Sequence, residues 1–123
     1  MIQTEGLYHI HLIVRDLERA LRFYSEVFGA QELFRAGPKM VFLSTPGSRD
    51  LITLNESDSE KAKAGDNGGI GHFGFRLKNQ SELDAAVDEV KRAGGKLIDR
   101  GQHAPGVPYA YVTDPDGYVI ELG

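Results

Sequence analysis

Residues 7–15 read LYHIHLIVR and lead into DLERALRFYSEVFG; residues 70–77 read IGHFGFRL and lead into KNQSELDAAVDEVKRAGG. Each stretch is a short β-rich run with a histidine in third place, His9 or His72, followed by a polar turn and an amphipathic helix closed by glycine. Self-similarity of this kind marks a fold built from copies of one unit.

Working outward, the first helix is expected to take Asp16 as N-cap and to bury Leu17, Leu21, Tyr24 and Phe28, with Gly29 supplying the left-handed stop. The second has Ser81 three residues before Asp84, an acidic variant of the capping box. It is expected to bury Leu83, Ala86, Val87 and Val90 and to end at Gly94-Gly95. Three strand-like runs follow each helix: 31–35, 40–45 and 50–55 in the first half, 96–100, 109–113 and 118–122 in the second. Pro46-Gly47 and Asp114-Pro115-Asp116-Gly117 punctuate them as hairpin turns. The reading is α+β, one domain over 1–123 made of two βαβββ modules (about 7–56 and 70–123) joined by a polar linker, 57–69.

Strand side chains alternate faces. In the first run Tyr8, Ile10, Leu12 and Val14 share the face available to the helices, and His9, His11 and Ile13 share the other. In the second half Phe73, Phe75 and Leu77 oppose His72, Gly74 and Arg76, and at the C-terminus Ile120 and Leu122 oppose Glu121. Taken singly, a strand histidine is more often a half-exposed surface residue than a ligand, and a glutamate on a last strand is usually a solvated charge. The pair weighs more, because His9 and His72 each stand seven residues before the polar residue that precedes a helix, Asp16 or Asn79.

The bulk properties are those of an ordinary globular domain: 123 residues, 41% hydrophobic and 26% charged. A formal charge of -4 disfavours nucleic acid as a partner. No apolar run reaches the roughly 20 residues of a membrane span, and the N-terminus lacks a signal pattern, so the expected location is cytoplasmic. With no cysteine, a metal ion here would have nitrogen and oxygen ligands alone.

The motifs around His9, Asp16, Leu17, Phe23 and Tyr24, around Gly71-His72 with Phe75 and Leu77, and Asp114-Pro115-Asp116-Gly117 followed by Glu121 resemble the vicinal oxygen chelate superfamily. That superfamily includes glyoxalase I, extradiol dioxygenases, fosfomycin-resistance enzymes and bleomycin-resistance proteins. The resemblance spans essentially the whole chain. It implies paired βαβββ modules in a cupped, barrel-like eight-stranded mixed sheet with helices outside, and one divalent ion on His9, His72 and Glu121. At the position where glyoxalase I-like members place a fourth ligand this chain has Thr53, a poor donor. The two-histidine, one-carboxylate set that remains leaves about three cis positions open on an octahedral metal.

The C-terminal run GQHAPGVPYAYVTDPDGYVIELG resembles that of extradiol dioxygenases. By that resemblance Tyr111 would hydrogen-bond a substrate oxygen, and His103, offset by one residue from the family position, would move a proton. The bland readings are a packed strand tyrosine and an exposed loop histidine. His11 shares the His9 face and Arg76 that of His72, as candidates for contacting substrate or orienting a ligand; a cavity histidine and a surface arginine are the plain alternatives.

These readings imply a metal-dependent, ring-cleaving dioxygenase acting on a small molecule with adjacent oxygens. Fe(II) is favoured, with Mn(II), Ni(II) or Zn(II) as alternatives. The competing functions are a glyoxalase-like lyase or isomerase, an epoxide-opening transferase, and a metal-free drug-binding resistance protein. The short form is expected to work as a homodimer whose partner closes the cavity near Met40, Phe42 or the 57–69 loop.

Overall fold

Eight strands and two helices follow one another as two copies of βαβββ in the computed structural model, which describes Met1, Gln3, residues 5–57 and residues 70–123. The first copy contains β1 (Ile10–Val14), α1 (Leu17–Phe28), β2 (Gln31–Arg35), β3 (Met40–Ser44) and β4 (Ile52–Glu56). The second contains β5 (Phe73–Phe75), α2 (Leu83–Arg92), β6 (Lys96–Ala104), β7 (Val107–Thr113) and β8 (Val119–Leu122). The chain divides into two units accordingly, Met1–Ser59 and Glu60–Gly123. Apart from Ser57, the linker read from the sequence lies outside the described residues. Each unit forms a four-stranded mixed sheet, in the order β1-β4-β3-β2 and β5-β8-β7-β6. In both, the first strand runs parallel to the fourth and the other pairings are antiparallel. The α+β class and the repeated βαβββ unit are therefore those read from the sequence.

Helix α1 starts where its chemistry says it should. Asp16 is extended, and its Oδ1 accepts from the Arg19 amide at 3.0 Å. A second carboxylate, Glu56 at the end of β4, accepts from the Leu17 amide at 2.8 Å, so strand and helix share a cap. Gly29, at φ 66°, ends the helix in the left-handed region. The buried face is Leu17, Ala20, Phe23 and Tyr24; Leu21 and Phe28, expected in the core, are only half-buried at its flanks.

Helix α2 departs further from expectation. The Ser81–Asp84 capping box does not form, because the Ser81 hydroxyl donates to Asn79 Oδ1 at 2.8 Å and the Ser81 amide to the same oxygen at 3.0 Å. Asn79 thereby launches a one-turn 3₁₀ segment, Gln80–Glu82, before α2 begins at Leu83. Leu83, Val87 and Val90 are buried as expected, while Ala86 is half-buried.

Beneath the helices the sheets contribute Leu12, Val14, Val41, Leu43, Ile52 and Leu54 in the first module, and Ala110, Val112, Ile120 and Leu122 in the second. Tyr8 does not join them. The β1–β4 ladder begins at Ile10↔Ile52, so Tyr8 lies two residues ahead of it and is exposed, with its ring edge-on to His9.

Strand β6 runs four residues further than expected, to a two-residue turn at Pro105-Gly106 where Gly106 takes φ 78°. It is bulged twice, between Leu97 and Asp99 and between Gln102 and Ala104, leaving Ile98 and His103 as the extra residues. Strand β2 carries the counterpart of the first bulge at Leu33.

We expect Asp16→Ala to cost about 1 kcal/mol of stability and Asp16→Asn only a few tenths, because asparagine still accepts the Arg19 amide. Urea denaturation of the two variants checks this.

Candidate metal centre

Glu121 occupies the middle of β8, with Gly74 of β5 opposite it on one side and Tyr111 of β7 on the other. Gly74 is open space that Glu121 uses. A Cβ there would sit 3.0 Å from the Glu121 carbonyl oxygen and 3.3 Å from its Cβ. Two imidazoles converge on the carboxylate: His72 Nε2 is 3.1 Å from Oε2 and His103 Nε2 is 2.6 Å from Oε1. Tyr111 faces Glu121 across the ladder, and its ring lies edge-on to His72 with centroids 4.9 Å apart. The side chains stay accessible, 24% for Glu121, 43% for His72 and 49% for His103.

The electrostatics follow from this company. The His103 hydrogen bond, with help from Tyr111 and the nearby imidazoles, holds the Glu121 carboxyl below the usual carboxylate range against the opposing effect of partial burial. Tyr111 is pushed upward, first by desolvation and then by the ionised Glu121 beside it. At neutral pH the site therefore holds a carboxylate beside a phenol that keeps its proton.

The one-residue offset of His103 has a structural counterpart. Leu97 pairs with Val112; an unbroken ladder would next set Ile98 opposite Tyr111 and bring Gln102 to the face of Glu121. The bulge at Ile98 instead sets Asp99 opposite Tyr111, so Asp99, Gly101 and His103 share that face. His103 lies within the strand rather than in a loop, and the second bulge falls on it.

The donors fit a divalent ion. Two ligands at right angles on a metal with bonds of about 2.1 Å stand about 3 Å apart, and His72 Nε2 and Glu121 Oε2 are 3.1 Å apart. An imidazole nitrogen with a carboxylate oxygen suits Fe(II), Mn(II), Ni(II) or Zn(II). His103 secures the other oxygen, as a hydrogen-bond partner of a ligating carboxylate does. Among the described residues no group of three or more His, Asp or Glu side chains forms a ready-made metal site; the part of the expected triad that is assembled is the His72–Glu121 pair.

His9 belongs to the first module and is exposed immediately ahead of β1, as His72 stands immediately ahead of β5. Ladder pairing makes the equivalence explicit. Across module 1 one row reads His11, Thr53, Phe42, Phe34; across module 2 it reads Gly74, Glu121, Tyr111, Asp99. Thr53 thus stands where Glu121 stands but is buried, 1% exposed, and the adjoining Phe34 and Phe42 rings stack at 4.4 Å. His11 is exposed beside Thr53, and Arg76 is exposed just beyond β5. A cavity of about 440 Å³ lined by Glu5, Gly6, Leu7, Tyr8 and Arg49 contains none of these side chains.

The model of the Glyoxalase/Bleomycin resistance protein/Dioxygenase superfamily matches residues 6–122. The chain belongs to this superfamily. Within it, the chain is 34% identical over 116 residues to catechol-2,3-dioxygenase of Bacillus subtilis, covering 90% of this chain but only 38% of that enzyme. It is 31% identical to a probable lactoylglutathione lyase of Vibrio parahaemolyticus, covering 93% of this chain and 86% of the relative. A solved structure of the fosfomycin resistance protein FosX from Listeria monocytogenes, complexed with Mn(II) and 1S,2S-dihydroxypropylphosphonic acid, superposes with a TM-score of 0.78 at 26% identity. That match covers 98% of this chain and 90% of FosX. That relative thus holds a divalent metal together with a small molecule carrying adjacent hydroxyls. No helix among the described residues is long and apolar enough to cross a membrane.

Sequence reasoning put Gly74 on the His72 face without giving it a role, and passed over Asp99, Gly101 and Tyr109. The period-two alternation in Tyr109-Ala110-Tyr111 was a usable signal for Tyr109; the Asp99 and Gly101 positions depend on the bulge and had none.

In metal-free protein we expect the Glu121 carboxyl, followed by ¹³C NMR, to titrate below the ordinary glutamate range. In His103→Ala it should titrate higher. A depressed carboxyl stabilises the fold above its unfolded-state pKa, and that contribution disappears as pH falls through the folded value. The acid limb of stability should therefore move to higher pH in His103→Ala.

Proposed function

We propose that the chain is a divalent-metal-dependent enzyme of the ring-cleaving, extradiol type, with His9, His72 and Glu121 as the metal ligands. The observation that carries this reading is that His103 lies 2.6 Å from Glu121 and Tyr111 stands directly across the ladder from it, which supports a role for an imidazole and a phenol in proton traffic beside a chelated substrate. Thr53 at the fourth ligand position leaves glyoxalase chemistry without its usual base.

When bound, the ion supplies a chelating centre for two adjacent substrate oxygens and, as Fe(II) or Mn(II), access to dioxygen. The protein's own groups do the rest. Tyr111, whose proton is firmly held, donates a hydrogen bond to a substrate oxygen. With Nε2–H donated to Glu121 Oε1, His103 takes the proton of a substrate hydroxyl at Nδ1 and returns it later. Arg76 pairs with an anionic substituent, and His11 borders the substrate from the first module.

A second reading rests on the FosX and lyase relatives. The FosX and lyase matches cover nearly all of those proteins, whereas the dioxygenase match covers 38% of its relative. In that reading the ion that the same ligands would hold would supply Lewis-acid chemistry to an epoxide or carbonyl oxygen, and dioxygen plays no part.

Anaerobic reconstitution with each metal, followed by catechols with an oxygen electrode, decides between them. We expect oxygen uptake with Fe(II) or Mn(II), its loss with the metal in Glu121→Gln, and a fall in kcat of about a hundredfold or more in His103→Ala. Turnover of a hemithioacetal or an epoxide without oxygen would establish the second reading instead.

A further inference from the structure

Resting on the reading of Glu121 as a metal ligand, we propose that Tyr109 is the positioning residue that fixes the His103 imidazole against Glu121, and that Gly101 is the gap admitting its ring. His103 stands at a bulge, where the ladder leaves it unpaired, and its side chain is half-exposed. Backbone pairing therefore does little to choose its rotamer, yet its Nε2 lies 2.6 Å from Glu121 Oε1. The Tyr109 ring supplies the missing constraint, stacking on the imidazole with centroids 4.3 Å apart and planes 21° apart.

The sheet explains why that ring can reach. Tyr109 is the ladder partner of Gly101, and a Cβ on Gly101 would stand 2.9 Å from the Tyr109 hydroxyl, 3.2 Å from Cζ and 3.3 Å from Cε1. With no side chain there, the phenol lies flat across the β6 backbone and its ring meets the residue two places on, His103. Tyr111 is a second ring neighbour, 5.1 Å away between centroids. The Tyr109 hydroxyl is at the limit of hydrogen bonding to Asp99, 3.5 Å, which leaves the ring as the part that matters. Partners of ligating carboxylates influence metal affinity by about 10- to 100-fold, and Tyr109 acts on that partner.

The test is Mn(II) affinity, read by electron paramagnetic resonance, together with the His103 ring resonances of metal-free protein. In Tyr109→Leu we expect the ring-current shift of His103 to vanish and Mn(II) affinity to fall about tenfold, towards the lower end of that range. Tyr109→Phe keeps the ring and should restore both. Gly101→Val, which crowds the phenol out, should reproduce the loss. Unchanged His103 resonances and unchanged affinity in Tyr109→Leu would overturn the proposal. Glu121→Gln separates it from the reading beneath: if that substitution leaves Mn(II) binding intact, the metal assignment falls, and the His103 resonances alone then decide the role of Tyr109.

Discussion

Glu121 is held upright by its neighbours. Ile120 and Leu122 are fully buried on the opposite face of β8, β5 and β7 flank the strand on both edges, and the carboxylate cannot leave its face without lifting two apolar side chains out of the core. Everything that converges on it comes from positions fixed in turn by that register: His72 one residue ahead of β5, Tyr111 directly across the ladder, and His103 on a bulged β6. The same packing that stabilises the module thus sets the geometry of its polar face. Gly74 completes the arrangement by leaving the space a side chain would fill.

The two modules run the same backbone register with different chemistry. Both have a parallel first-to-fourth pairing, an antiparallel remainder and a bulge at the equivalent place, Leu33 or Ile98. Where module 2 places a carboxylate and a phenol, module 1 places a buried threonine and a stacked phenylalanine pair. The histidines ahead of the first strands, His9 and His72, are kept in both.

Much of this was legible in the sequence because it rests on local rules. Asp16 before an apolar-periodic run, Gly29 after it, and the alternation Ile120-Glu121-Leu122 each carry their own physical signature. The repeat by itself aligns His9 with His72. What escaped depends on long-range pairing. A bulge inserts one residue without a compositional mark, and that residue decides which of Gln102 and His103 meets Glu121. Asn79 outcompeted the expected Ser81 cap because two local hydrogen-bond patterns were available to one hydroxyl, and their ranking depends on backbone geometry. The Tyr109 stack needs Gly101 opposite it, a pairing fixed only once β6 and β7 are in register.

The central claim is that histidines from both modules bind one ion together with Glu121. Selective ¹⁵N labelling of the four histidines and titration with Mn(II) tests it most directly, since the paramagnetic ion broadens only nearby imidazoles. The account predicts that the His9 and His72 signals disappear together and that the effect is complete at one equivalent. A His9 signal that stays sharp while His72 is lost would contradict it.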